Sequence, residues 1–443
     1  MFPLSRPARQ GLATTALALL TVLPTGFTAF HAWRINRPGH VRDVEITLGR
    51  RLGLQVTLDA VAYPRPGEIL FHGIVLRQEE PRGKGLAEIA RAASLRLVQS
   101  GRDLIVHADE LALRGESPDL AMTQVGSLLQ RSGEVPYDRV ELTAPSCRLD
   151  LGAGLGFSLQ DVAATLASEP SGPTVRVAYR LVEPGSKTRC ELTLSRDRRV
   201  DPVRTTLALK TLEGLPLPAR VLDVFFDATD WIGEDARVDG RLTLRRSGGG
   251  AWEGDFAGDL HDVDLAALVG RRFPSHRLAG SARVSIENAR WGDRPGQGPG
   301  WIEAKGKLTS GPGSVGVDLL TALAREMAFR PPSRHARGVD ARRSEVDFGA
   351  LGMAFDMRPD GEIHLAGALG NEHPPDAVLA AGVSPLIHAP EGASSVHGLI
   401  KTLVPVAAAR PGTLVPLTSE SRVLLCLPVA PEVARPTRTM GAN

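Results

Sequence analysis

The sequence predicts a mostly β (α+β) protein in which an N-terminal transmembrane helix leads into an elongated, curved antiparallel β-sheet, groove-like or sandwich-like, with a few amphipathic helices. Three observations predict it. Residues 11–33 carry no Asp, Glu, Lys or Arg. Beyond residue 53, apolar and polar residues alternate in one short run after another. The chain also holds 47 Gly and 33 Pro, enough to interrupt those runs with many turns.

The first observation defines an anchor. The stretch GLATTALALLTVLPTGFTAFHAW follows Arg6 and Arg9, and about 20 apolar residues cross a hydrocarbon core. A cleaved signal peptide would need small residues at its cleavage site. Cutting after Ala32 or Ala29 places Phe30 or Phe27 at the third position back, so a retained span is expected. Trp33 and Arg34 then stand where an interfacial aromatic and a cation belong. Arg34, Arg37 and Arg42 after the span offset Arg6 and Arg9 before it, which leaves its orientation open.

A helix is predicted from His40 to Leu52, with Val41, Val44, Leu48 and Leu52 at helical spacing and Gly53 as its stop. Period-two alternation takes over after it. Val175, Val177, Tyr179 and Leu181 oppose Arg176 and Arg180; Cys190, Leu192 and Leu194 oppose Glu191, Thr193 and Ser195. The same code recurs at Val203, Leu207 and Leu209, at Val238, Leu242 and Leu244, and at Val284 and Ile286. It returns at Ile302 and Leu308, at Met353, Phe355 and Met357, and at Ile363 and Leu365. One wet face and one apolar face per strand is the pattern of antiparallel sheets. A loose Gly-x-apolar-x-apolar unit starts at Gly240, Gly280 and Gly361, too irregularly spaced for a solenoid.

Helices are expected at 216–232, 315–328 and 396–406, with a weaker one at 118–131. Loops are expected at 247–251, 292–300 and 330–338. The run Val423–Val429 is too short for a second span and reads as a last strand. The polar tail from Pro431 reads as disordered. These signals divide the chain into an anchor (1–36), two β-rich regions (37–215 and 216–410) and a C-terminal segment (411–443).

Lys plus Arg number 52 and Asp plus Glu 50, so there is no global cationic field of the kind a nucleic-acid partner requires. Cys147, Cys190 and Cys426 are too widely spaced for a zinc motif. Cys147 and Cys190 fall on apolar strand positions, where buried thiols are expected and a disulfide between them stays open. No catalytic, cofactor or metal centre is expected. His261-Asp262-Val263-Asp264 lacks a second ligand group, and a loop with Asp264 as a helix cap explains it. Asp223, Asp227 and Asp230 share a helical face, which a solvated surface explains. His107 and His364 fall on wet strand positions, and the Arg-rich stretch 325–343 reads as a solvated loop.

Two regions carry a family resemblance. The first holds Gly49-Arg-Arg-Leu-Gly53, Gln55-Val-Thr-Leu-Asp-Ala-Val61, Gly67-Glu-Ile-Leu-Phe-His-Gly-Ile-Val-Leu76, Ala87–Leu97 and Asp103–Leu113. The second holds Asp239–Leu244, Gly254–Leu265, Leu278–Val284, Ala304–Leu308 and Gly316–Leu323. Together they resemble the AsmA-like proteins of bacterial envelopes, over about half the chain and at the level of pattern. The resemblance implies an inner-membrane anchor, a periplasmic body, and carriage of phospholipid along an apolar groove. Sequence reading therefore expects a non-enzymatic envelope protein whose groove is lined by Val175, Val177, Leu192, Leu194, Leu207, Leu242, Leu244, Val284 and Ile286. The core of an ordinary sandwich competes for the same residues. An envelope scaffold or outer-membrane assembly factor, binding proteins through its sheet edges, is the alternative.

Overall fold

The computed structural model describes residues 6–37, 39–79, 85–115, 137–152, 154–183, 186–214, 216–224, 227–248, 250–271, 273, 276–294, 298–331, 344–403 and 427. The helix expected at 118–131, the strand expected at 423–429 apart from Leu427, and the C-terminal tail lie outside them.

Helix α1 (Arg6–Asn36) contains a stretch, Ala13–Arg34, long and apolar enough to cross a membrane, and none of it is buried in the protein. Helix α2 (His40–Leu52) follows. It stops where the sequence predicts, because Gly53 takes a left-handed conformation (φ 67°) and donates its N–H to the Gly49 carbonyl. Val41, Val44 and Leu48 pack against the first strands. Leu52, expected on the same face, is instead exposed.

The strands then run in chain order: β1 (Gln55–Thr57), β2 (Ala60–Ala62), β3 (Glu68–Glu79), β4 (Leu86–Ser100), β5 (Asp103–Asp109), β6 (Leu111–Arg114), β7 (Arg139–Asp150) and β8 (Gly156–Glu169). Next come β9 (Gly172–Glu183), β10 (Ser186–Asp197), β11 (Arg204–Gly214), β12 (Leu217–Pro218), β13 (Arg237–Ser247) and β14 (Trp252–Asp264). The last are β15 (Leu278–Ala279), β16 (Ser281–Arg294), β17 (Gly298–Ser310), β18 (Gly313–Gly316), β19 (Glu345–Phe348), β20 (Ala350–Met357), β21 (Glu362–Gly367), β22 (Ala377–Ala381), β23 (Ser384–His388) and β24 (Ser394–Ser395). All but β15, β18 and β19 belong to one sheet of 21 strands. The junction expected at 215/216 lies inside it, since β11 pairs directly with β13.

Pairing among the described strands is antiparallel, as expected, except where β7 lies parallel to β5 and β6. The stretch Asp103–Leu113 forms two strands, β5 and β6, separated at Glu110 (φ 50°). The helix predicted over 216–232 is strand β12, a 3₁₀ turn (Ala219–Val224) and a short helix α3 (Ala228–Ile232). Asp223 accounts for the break: its carboxylate accepts the Thr229 backbone N–H (2.9 Å) and the Thr229 hydroxyl (2.7 Å), so it caps a new helix. The loop predicted at 292–300 is largely hairpin, with β16 and β17 reaching it from both sides. Helices α4 (Val317–Glu326) and α5 (Val396–Leu403) match their expected positions.

A line of irregular backbone crosses the sheet. It passes Gly73 (φ 60°), Glu110, Asp161 (φ 50°), the register shift at Cys190, Gly240 (φ 132°), Gly258 (φ 157°) and the shift between Ile286 and Asn288. Bulged strands bend and twist more strongly, so an aligned series of bulges curls the whole sheet.

Candidate functional site: an apolar row across the inner face

Cross-strand register joins the apolar phases of successive strands. Ile69 of β3 pairs with Leu97, Leu97 with Val106, Val106 with Leu142, and Leu142 with Ala164. The row continues through Val177, Leu192, Leu209, Leu242, Phe256, Ala289, Ala304 and Met357 to Ile363 of β21. At about 4.8 Å per strand it extends over roughly 60 Å. A second row beside it holds Val140, Leu166, Val175, Leu194, Leu207, Leu244, Gly254, Trp291 and Trp301. Its two tryptophans meet edge to face at 5.6 Å.

The other face is charged. Arg176–Glu169, Arg245–Asp255, Arg283–Asp259, Arg290–Glu303 and Lys305–Glu287 pair there. From β8 to β17 the two faces thus differ in chemistry, as period-two alternation requires, whereas β22 is buried on both faces.

The inner face is covered unevenly. At the N-terminal end α2 lies over it. Midway, Leu217, Leu222 and Ala228 of the 217–232 segment pack on Leu181, Cys190, Leu209 and Val238, and the Arg220 guanidinium stands 5.7 Å from the Phe157 ring centre. At the C-terminal end Leu319 of α4 and Val396 of α5 close a larger core. Between these covers lies a patch of Leu166, Val175, Leu192, Leu194, Leu207 and Leu244 whose apolar neighbours, among the described residues, all come from the sheet itself.

The nine residues expected to line a groove therefore separate. All face inward. Val175, Val177, Leu192, Leu242 and Leu244 are half-buried, whereas Leu194 and Leu207 are buried. Val284 and Ile286 lie under the C-terminal helices and belong to that core. Sequence reading missed Leu209, Phe256, Trp291 and Trp301 as row members. Leu209 and Phe256 carry the alternation signal; the tryptophans flank the stretch 292–300 expected to be loop.

Cys147 and Cys190 are buried and free, as expected for core thiols. Burial pushes each thiol up to about 11. Tyr179, beside Cys190, is also raised by burial.

The polar candidates resolve differently. His261 lies in β14 rather than in a loop, and its Nε2 stands 2.9 Å from Asp239 Oδ2. With Asp259 these form a group whose ligand atoms fall within 4.8 Å of one another, on the charged face. Arg283 already donates to Asp259 at 2.7 Å, supplying the positive charge that the carboxylate needs. Asp264 caps the short π-helical turn at Ala266–Gly270, its Oδ1 accepting the Ala266 N–H at 2.9 Å. Asp227 and Asp230 are solvent-facing. His107 is exposed and bonds Thr143.

Comparison with models of protein families, with curated proteins and with solved structures gave no match for this chain.

Proposed function

We propose that the protein is a membrane-tethered, non-enzymatic carrier of phospholipid, in the bacterial envelope with its body in the periplasm, and that acyl chains lie on the apolar rows of the inner face. The observation that carries this reading is the continuity of the Ile69–Ile363 row across fourteen strands. A core needs apolar residues opposite a second layer; it does not need an unbroken lane through regions with separate covers. The half-buried state of Val175, Val177, Leu192, Leu242 and Leu244 leaves apolar surface for a ligand to cover.

The energetics suit transfer. Each methylene removed from water is stabilised by about 0.8 kcal/mol, but a lipid leaving a bilayer is already out of water. Groove and bilayer then nearly balance, and a chain moves between them as long as water is excluded on the way. The resemblance to AsmA-like proteins agrees with such a role, and α1 provides the tether.

The test is photo-crosslinking in membranes. A photoreactive residue replaces Val177 or Leu244 in the full chain, with Arg176 as the outward control. Phospholipid adducts at the two inward positions and none at Arg176 are expected. Adducts equal at all three, or none at Val177 and Leu244 in folded protein, overturn the carrier reading.

A further inference from the structure

We propose that the outward face of α2 is a docking surface for anionic phospholipid headgroups, holding the first strands of the sheet against the bilayer that α1 crosses. The inference rests on α1 being a membrane span; it does not require the sheet to carry lipid.

Position comes first. The apolar stretch ends at Arg34 and α2 begins at His40. Five intervening residues reach at most about 18 Å when fully extended, so α2 cannot leave the neighbourhood of the headgroups. Its orientation is fixed by the sheet. Val41, Val44 and Leu48 pack on the β1–β4 core, and Glu45 accepts the Leu58 N–H at 2.8 Å. His40 Nε2 and the Tyr63 hydroxyl lie 2.9 Å apart, tying the start of the helix to the strand edge.

The face left over has the composition of an interfacial helix. Arg42, Ile46 and Arg50 form one stripe at i, i+4 and i+8, with Thr47 and Arg51 beside it, and all five are exposed. Ile46 is 49% exposed and Leu52 40%, an apolar pair among cations. Asp43, the acidic residue on this side, is paired with Arg37. Among the described residues Arg42, Arg50 and Arg51 make no ion pair, so three positive charges stand without a protein partner next to a span. The outer surface of a solvated helix has no need of such a one-sided charge, or of exposed isoleucine and leucine between the arginines. A surface bearing phosphates and an apolar boundary layer satisfies both.

The test uses the full chain in lipid nanodiscs, either phosphatidylcholine alone or phosphatidylcholine with phosphatidylglycerol, read by amide hydrogen exchange. Each arginine at an anionic surface favours the bound state about five-fold. The amides of residues 46–52 should therefore exchange at least about ten-fold more slowly in the anionic discs. The triple variant R42E/R50E/R51E should remove that difference while α1 stays protected and the sheet keeps its exchange pattern. Equal exchange of α2 in both discs, with α1 protected, overturns the docking surface and leaves the span standing. Strong protection in both discs points to apolar insertion alone and overturns recognition of the anionic headgroup. An unprotected α1 overturns the span and this inference with it.

Discussion

Leu194 and Leu207 sit directly opposite each other on β10 and β11, and they are 4% and 3% exposed although their apolar neighbours, among the described residues, all belong to the same sheet. A flat sheet without a covering layer would leave such a pair open. Among the described residues, curl of the sheet accounts best for that burial, and it makes them structural where their neighbours are available. Leu207→Ala should cost about 2–4 kcal/mol and lower the melting temperature of the detergent-solubilised chain. Val177→Ala, at a half-buried position of the Ile69–Ile363 row, should cost about 1 kcal/mol or less. A Val177→Ala loss as large as that of Leu207→Ala would mean that the row is closed core.

The curl itself depends on Gly240 and Gly258. These residues are paired, with φ of 132° and 157°. A Cβ at Gly240 would lie 2.3 Å from the Ala257 carbonyl oxygen, and one at Gly258 2.0 Å from that of Asp239. Gly240→Ala should therefore destabilise by roughly 2 kcal/mol or more, from strain at a special backbone position. Gly156→Ala is the control, because a Cβ there meets nothing within 4 Å. Thermal melts of the two variants decide the matter: similar melting temperatures would remove Gly240 from any role in bending the sheet.

Most of this fold can be read in the residues because strand alternation is local. Val175 through Leu181 declare their face whatever they pair with, and Gly53 ends α2 by its own conformational freedom. Gly240 was visible as the start of a recurring unit, but its role as a bend depends on facing Gly258 across a strand pair. The parallel insertion of β7 and the continuity of the apolar row are properties of register, which alternation does not specify. Segment 216–232 misled because Val221, Leu222 and Ile232 keep helical spacing while Asp223 captures Thr229 and breaks the helix. The group of Asp239, Asp259 and His261 joins residues of two strands, and only His261 stood out in the sequence.

The thiols give a chemical check on the core. Cys147 and Cys190 are pushed up to about 11 by burial, so at pH 8 about one molecule in a thousand carries a thiolate at either site. Iodoacetamide at that pH should leave both unmodified in folded protein and alkylate both in guanidinium, as read by peptide mass spectrometry. Their stability contribution follows from the sign of the shift. A folded-state value raised above the ordinary 9.0 gives stability that is full below pH 9 and lost as pH rises towards about 11. Replacement of both by Ala should flatten that alkaline loss. Rapid labelling of Cys190 in folded protein would show that the mid-sheet cover opens.

On the charged face, hydrogen bonds from Arg283 and then Ser285 hold the Asp259 carboxyl below its ordinary value. A depressed carboxylate stabilises the fold above the ordinary value and loses that contribution as pH falls through its folded value. Arg283→Gln should therefore lower stability at neutral pH by no more than about 1 kcal/mol, the arginine being largely exposed, and the two proteins should converge in strong acid. Unfolding curves at pH 7 and at pH 2 test this. A difference that persists or grows in acid would assign the effect to packing of the arginine stem.

The 217–232 segment is the cover nearest the open patch, and Asp223 is the residue that shapes it. Loss of its two bonds to Thr229 should cost about 1 kcal/mol, the usual worth of a helix cap. That cost falls on the short helix α3 rather than on the sheet, because the strands beneath keep their ladders. Asp223→Ala should therefore speed amide exchange in 219–232 and leave β10, β11 and β13 unchanged. If the inner face holds acyl chains, loosening this cover should also speed exchange of a fluorescent phospholipid between the protein and added vesicles. Asp223→Asn retains an acceptor for the Thr229 N–H and should restore most of the slow exchange. Faster amide exchange with unchanged lipid exchange would mean that chains enter elsewhere, and the patch around Val175 and Leu244 is then the place to look.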